Sequence, residues 1–532
     1  MKSKKLSGSF YTPKIIADFL VDYLSLKLEH KHNISVLEPS AGDGIFVKTI
    51  IEHKSLKERV SKIVAVEKSK RELNKISNAV NGDFFMGIHM DFLDFQHSNT
   101  DTFSLVIGNP PYIKKSLLAE SQIEHCKSIH QNAKLADIRP NNIWTSFLVR
   151  CIEFTNEDGI LAFILPSELL QVKFAAELRE LLIREFERVE IFTFNELLFK
   201  DCKGQDTLLL IGERKSDEKG LFYCNIGKLT DLIEGKFTFA QNIKIKESKW
   251  THCHLEPDEI ELLEKLKLEL LTVNDYCHSK AGIVTAANDF FIVNADTVEE
   301  YSLQNYTIPI IQKGAFVNGS VDFSDLDFQV LVNKSKPSYL ISIEKSSAIR
   351  KNARILRYLD IGVEKKINTR YKTSQREKWY EIPNIGTAPD GFFFKRCNEY
   401  PKLVKNSASV LATDSAYIVT MGDNFEIENL IFSFYNSLTL AFAELYGRYY
   451  GGGVLELTPN EFKKLPVPYI KLTSGSFESF VKDFKRKRSI KEICDQNDRE
   501  ILKSIDPFLD SQTIGKISKI REKLYHRRNK TV

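Results

Sequence analysis

Between about residue 10 and residue 215 the chain alternates two hydrophobic rhythms. Stretches with apolar residues three and four apart, Pro13 to Leu28, Ile45 to Ile51 and Ile143 to Phe154, read as helices, each opening beside capping or turn residues. Between them lie short apolar or β-branched runs, which read as strands: Ile34 to Leu37, Ile63 to Val66, Leu105 to Ile107, Gly159 to Leu165, Val189 to Phe194 and Thr207 to Ile211. This alternation predicts an α/β domain with a largely parallel sheet. After about residue 220 the rhythm fades into irregular segments with many aromatic and basic residues, without an internal repeat, and from about Phe477 a Lys- and Arg-rich stretch reads as helical. The expected division is 1–222, 223–475 and 476–532.

Composition changes this picture little. A chain of 532 residues is too long for one ordinary core, and 42% hydrophobic residues with 36 Phe supply several. The segment from Met1 to Pro13 starts basic but has no apolar run behind it, and no stretch of about 18 apolar residues occurs, so neither secretion nor a membrane is expected. Eight cysteines (Cys126, Cys151, Cys202, Cys224, Cys253, Cys277, Cys397, Cys494) are scattered without a CxxC pair, which points to a reduced, cytoplasmic protein with no structural metal. A net charge of +4 does not by itself announce a nucleic-acid binder.

Chemistry enters at Val36-Leu37-Glu38-Pro39-Ser40-Ala41-Gly42-Asp43-Gly44, an apolar strand running into a small-residue turn and then a helix. Gly42 and Gly44 let the backbone adopt positive φ and approach a ligand closely, and the helix start offers unpaired N–H groups to a carboxylate. The spacing is neither a dinucleotide fingerprint nor a phosphate loop. The next strand ends in Glu67, suited to ribose hydroxyls, and the third strand end brings Asp91 and Phe92, suited to an adenine amine and ring face. Each residue alone has an ordinary structural reading; in this order they describe a nucleoside site.

The sharpest signal is Leu105-Val106-Ile107-Gly108-Asn109-Pro110-Pro111-Tyr112. Two prolines fix φ and remove two amide donors, leaving carbonyls rigidly aimed. The Asn109 side-chain oxygen and the Pro110 carbonyl would accept the two protons of an aromatic amine, and Tyr112 would stack on the ring that bears it.

With these motifs the chain resembles the DNA amino-methyltransferases, specifically the adenine-N6 family of the gamma, TaqI-like arrangement found in restriction-modification systems. The resemblance implies a Rossmann-like S-adenosylmethionine-dependent catalytic domain, a mixed α+β target-recognition domain after it, and a helical C-terminal segment. By similarity Tyr11, Thr12 and Pro13 meet the methionine end of the cofactor; Glu38, Pro39, Ser40, Ala41 and Gly42 line it; Glu67 holds the ribose; Asp91, Phe92 and Phe147 hold the adenine; and Asn109 borders both cofactor and substrate. Asn109, Pro110, Pro111 and Tyr112 form the catalytic platform, and Phe199 faces the flipped base opposite Tyr112. The implied activity is a site-specific adenine-N6 methyltransferase acting on double-stranded DNA, monomeric, with a separate cognate endonuclease, in a bacterial or archaeal cytoplasm. No metal is needed, because a sulfonium is already a strong electrophile.

The loop from Ile113 to Asn142, with Lys114, Lys115, Lys134 and Arg139, is long enough to close over DNA or to be simply solvated. In the second domain Ala281 to Phe291 and Tyr449 to Pro459 look like parts of the same family's specificity region. Basic and aromatic residues interleave at Arg350 to Tyr358, Lys365 to Trp379 and Phe392 to Arg396, which suits phosphate contacts mixed with base-edge readers. Rival readings are a methyltransferase for RNA or protein glutamine, whose chains are usually shorter, and a non-catalytic DNA-binding subunit. A nuclease reading of Pro389, Asp390 and Lys395 lacks its intervening carboxylate.

Overall fold

The computed structural model describes residues 11–80, 82–96, 102–199, 206–241, 249–317, 319–343, 353–450 and 453–530. Cys202 and Arg350, named above, lie outside them, as do Gly451 and Gly452 within the stretch from Tyr449 to Pro459. The chain divides into two compact units, Met1–Pro257 with Asn529–Val532, and Asp258–Arg528.

In the first unit the order is α1 (Lys14–Lys27), β1 (Ile34–Glu38), α2 (Ile45–Glu52), β2 (Val60–Glu67), α3 (Lys70–Ala79), β3 (Phe85–His89), β4 (Phe103–Gly108), α4 (Glu120–Asn132), α5 (Trp144–Phe154), β5 (Thr155–Pro166), α6 (Ala176–Glu185), β6 (Arg188–Phe194), β7 (Thr207–Glu213), β8 (Gly220–Ile226) and β9 (Ala240–Gln241). All nine strands form one sheet in the order β3-β2-β1-β4-β5-β7-β6-β8-β9. Strands β3, β2, β1, β4 and β5 run parallel, whereas β7 runs antiparallel between β5 and β6. The sheet is therefore mixed at one end and parallel where the motifs lie. Central strands β4 and β6 are buried almost throughout, as expected of strands covered on both faces. Helix α1 starts after Thr12-Pro13 and turns Ile16, Ala17, Phe19, Leu20, Val21 and Leu24 inward, a helical stripe that packs into the sheet core.

Each of the six strands and three helices read from the rhythm is present. The rhythm missed β3, whose residues are mostly half-buried or exposed, and β8, which lies across the expected boundary at residue 222 and carries the first unit on to Pro257. The segment from Ile113 to Asn142 is not an irregular loop. An isolated bridge between Lys114 and Asn142 and the Ile143 N–H to Ile113 carbonyl bond (2.9 Å) close its base, and it holds α4, with Cys126, Ile129 and His130 buried.

The second unit is α+β. One antiparallel sheet takes Cys277–Ala281, Ala416–Met421, Gly391–Phe394 and Lys402–Lys405 in that spatial order. A second sheet joins Ile292–Val293, Tyr339–Ile341, Thr307–Ile311 and Leu411–Ala412. Helices Ser476–Lys485, Ile490–Lys503 and Ser511–Arg528 belong to this unit and form no separate body. Within the basic run from His526 to Lys530, Arg528 and Lys530 are not solvated: their side chains are 1% and 6% exposed. Among the described residues no helix is long and apolar enough to cross a membrane.

Candidate functional site

Strands β1 and β4 are parallel neighbours, Val36 beside Leu105 and Leu37 beside Val106. From β1 the chain moves to β2 and β3 on one side, while β4 and β5 lie on the other, so the turns after β1 and β4 flank the point where strand order reverses. That crevice is where open α/β sheets bind ligands.

The turn after β1 is built on backbone geometry. Gly42 and Gly44 lie in the left-handed region, at φ +57° and +75°. A Cβ on Gly44 would stand 2.6 Å from Ile76 Cγ1, whereas one on Gly42 would meet only the Tyr11 ring, at 3.6 Å. The half-exposed Tyr11 ring thus lies over the turn. Glu67, at the end of β2, accepts the Gly42 N–H (2.8 Å) on one oxygen and the Ser69 N–H (2.6 Å) on the other, and so fixes the turn against the second strand. Glu38 is buried, its Oε2 has no hydrogen-bond partner, and burial holds its carboxyl well above the usual range despite the Val47 N–H it accepts. A buried carboxylate oxygen with no donor, beside a turn open to close backbone approach, is what a cationic, hydroxyl-rich nucleoside such as S-adenosylmethionine would fit.

The turn after β4 is tied to the first from two directions. Ser40 Oγ donates to the Asn109 carbonyl (3.2 Å), and Asn109 Nδ2 donates to Thr12 Oγ1 (3.3 Å). Thr12 is buried, and Pro13 caps α1. The three motifs, separated by up to 97 residues, are therefore one hydrogen-bonded unit. The Tyr112 hydroxyl lies 3.0 Å from both Asn109 Oδ1 and the Ile164 carbonyl of β5. Pro110 is buried; Pro111 and Tyr112 are partly exposed.

Asp91 caps the short turn Phe92–Asp94 through the Leu93 N–H, and its other oxygen accepts from Lys68 Nζ (2.8 Å) and Gln122 Nε2 (2.9 Å). Burial pulls its carboxyl up, but Lys68, the Leu93 N–H and Gln122 outweigh that and hold it below the ordinary value. Phe92 and Phe147 meet at 5.0 Å between ring centroids, with Phe95 and Phe154 behind Phe92. Sequence reasoning missed Lys68 and Gln122. Lys68 directly follows Glu67, a signal that could have been read; Gln122 sits on α4 and gave none. His130 of the same insertion bonds through Nε2 to Thr145 (3.2 Å) and Ser146 (3.0 Å) at the start of α5, and burial depresses its basicity. Phe199 is buried in the core that holds Phe194 and Leu198 and in this conformation exposes only 5% of its surface.

A model of the Eco57I restriction-modification methylase family matches residues 22–199, and a model of the C-terminal domain of type II methyltransferase M.Eco57I matches residues 247–502, so the two together take in most of the chain in the order the family has them. The chain belongs to the Eco57I-like type II restriction-modification methyltransferases. Among individual relatives, type II methyltransferase M.AccI of Acinetobacter calcoaceticus is 25% identical over 96% of this chain and 94% of its own length. Modification methylase CviBIII of Paramecium bursaria Chlorella virus NC1A is 29% identical over 54% of this chain and 76% of its own. Among solved structures, the type IIL restriction-modification enzyme MmeI in complex with DNA aligns with 96% of this chain and 77% of its own at a TM-score of 0.55 and 12% identity, a likeness of fold. In this methyltransferase the described residues contain no group of three His, Cys, Asp or Glu side chains able to hold a metal.

Proposed function

We propose that this methyltransferase moves the methyl group of S-adenosylmethionine to N6 of an adenine flipped out of a specific sequence in double-stranded DNA, and so protects that sequence from a separate cognate endonuclease. The observation that supports the reading is the joining of Asn109 to Ser40 and Thr12, which ties the Asn-Pro-Pro-Tyr turn after β4 to the glycine turn after β1.

The cofactor supplies an electrophilic methyl on a sulfonium. Everything else is done by the chain. Tyr11, Thr12 and Pro13, with the turn from Glu38 to Gly42, enclose the methionine end; Glu67 faces the ribose; Asp91 takes an adenine amine, and the Phe92–Phe147 pair packs on the ring. Asn109 Oδ1 and the Pro110 carbonyl accept the two hydrogens of the target amine and draw its lone pair out of conjugation, toward the methyl. For this the Tyr112 hydroxyl leaves Asn109 as the base enters, and its ring stacks on the base; Phe199 turns out of the core to close the opposite face. The gain comes from positioning and from preset acceptors, and the extra proton of the methylated amine passes to solvent water after transfer.

Single-molecule sequencing of DNA from cells expressing the protein, beside an Asn109→Ala control, tests the proposal. N6-methyladenine at one short motif, absent in the control, is the expected result. No modified adenine from a folded, cofactor-binding protein would move the reading to RNA or to protein glutamine.

A further inference from the structure

The second unit carries a surface that methyl-transfer chemistry leaves unused. Between Lys365 and Lys378 stand six cations (Lys365, Lys366, Arg370, Lys372, Arg376, Lys378) against one carboxylate, Glu377. After the helix Ala353–Glu364 the chain turns through Lys366, at φ +54°, into the 3-10 turn Ile367–Thr369 and the single helical turn Tyr371–Ser374.

The underside of this knuckle is fixed. Ile367 and Thr373 are fully buried, and the Thr373 hydroxyl donates to the Arg370 carbonyl (2.9 Å). Arg376 stacks 5.6 Å from the Phe291 ring centroid and donates to the Thr285 carbonyl (2.8 Å), while Arg370 reaches Asp289 at 3.5 Å. Two motifs singled out separately in the sequence, Ala281 to Phe291 and Lys365 to Trp379, are thereby one element.

The upper side is open. Tyr371 is 82% exposed, Lys365, Lys366 and Lys372 are exposed, and among the described residues no carboxylate lies within ion-pair distance of these three lysines. A solvated tyrosine ring beside exposed lysines of the same short segment forgoes the burial it could gain by folding down. Cations that neutralise phosphates beside an aromatic face that stacks on bases are complementary to one class of partner, nucleic acid.

We infer that the Lys365–Lys378 knuckle is a DNA contact in which Tyr371 packs against a base or base step and Lys365, Lys366 and Lys372 hold the flanking phosphates. The inference rests on the DNA reading above and adds the element of the second unit that grips the duplex. It is tested with the full chain by transfer of labelled methyl groups into unmethylated bacteriophage λ DNA, and by binding to a labelled mixed-sequence duplex across a salt series. Tyr371→Ala is expected to raise KM for DNA about tenfold, with kcat at saturating DNA within about twofold of wild type, and Tyr371→Phe to restore KM. The triple variant Lys365→Gln, Lys366→Gln, Lys372→Gln is expected to lower the slope of log affinity against log salt by about 3. An unchanged KM for Tyr371→Ala, or an unchanged salt slope for the triple variant, overturns the inference and leaves the surface to a protein partner. If the wild-type protein methylates no DNA, the functional reading fails by itself, and the salt slope still decides whether this surface meets phosphate.

Discussion

The Tyr112 hydroxyl lies 3.0 Å from Asn109 Oδ1, so the side-chain oxygen that the chemistry needs as an acceptor is satisfied within the motif itself. The one hydroxyl proton is shared between this oxygen and the Ile164 carbonyl, and an entering amine replaces it with a bond of the same kind.

This exchange separates the roles of ring and hydroxyl. Tyr112→Phe keeps the ring and removes the donor, and should lower kcat by less than tenfold. Tyr112→Ala should lower it at least about a hundredfold, because stacking is lost as well. Asn109→Ala should cut kcat by about 10²–10³ while cofactor affinity changes only a few-fold. Single-turnover assays and equilibrium cofactor binding read both; equal losses for the Phe and Ala variants of Tyr112 would assign the work to the hydroxyl.

The two glycines of the cofactor turn should differ in stability. Gly44→Ala meets left-handed strain and an overlap with Ile76 at 2.6 Å, and is expected to cost about 2–4 kcal/mol. Gly42→Ala meets the strain alone, with its nearest contact at 3.6 Å, and should cost about 1–2 kcal/mol. Denaturant unfolding compares them; a larger loss at Gly42 would contradict the packing described for the turn.

Asp498 should make stability depend on pH in a definite direction. It is 1% exposed and accepts the Ser437 N–H (2.7 Å) on Oδ1, and burial raises its carboxyl from 3.8 to about 6. Between those values the folded state holds the proton more tightly than the unfolded state, so this group's contribution falls as pH rises from about 4 to 6 and stays low above it. The shift corresponds to roughly 3 kcal/mol. Asp498→Asn, which keeps the acceptor oxygen, should flatten that dependence and be more stable than wild type at pH 7; urea unfolding at pH 4.5 and 7 checks the difference.

Arg528 should be indispensable to the second unit. Its Nε bonds both oxygens of the buried Glu444 (2.9 and 2.8 Å), and its other nitrogens reach the carbonyls of Asn398, Glu399 and Gly453. Arg528→Ala leaves Glu444 charged and buried without its partner, at an expected loss of about 3–5 kcal/mol. Thermal unfolding of the full chain measures it, and a loss below about 1 kcal/mol would mean that the helix Ser511–Arg528 is only an appendage.

Much of the first unit was legible in the chain because its signals are local. A strand buried on both faces must be an apolar run, an amphipathic helix must repeat every three or four residues, and a turn that approaches a ligand needs glycine, so β1, β2, β4 to β7 and the two motif-bearing turns could be read in order. Strand β3 is mostly half-buried or exposed and leaves no such run, and β8 crosses the composition shift that was read as a boundary. The helix in the Ile113–Asn142 segment rests on burial of Cys126, Ile129 and His130, which spacing alone did not reveal.

By itself the sequence determined which residues could make a nucleoside turn and an amine-accepting platform, since those depend on residue type and near-neighbour geometry. Only the tertiary structure decided that Asn109 is bonded to both Ser40 and Thr12, that Lys68 and Gln122 hold Asp91, that Phe199 rests in the core, and that Arg528 is buried while Tyr371 is not. Those outcomes depend on which distant segments the sheet order and packing bring within about 3 Å, and a charged or aromatic residue carries no mark in the chain of whether its partner will be water, a carboxylate or another ring.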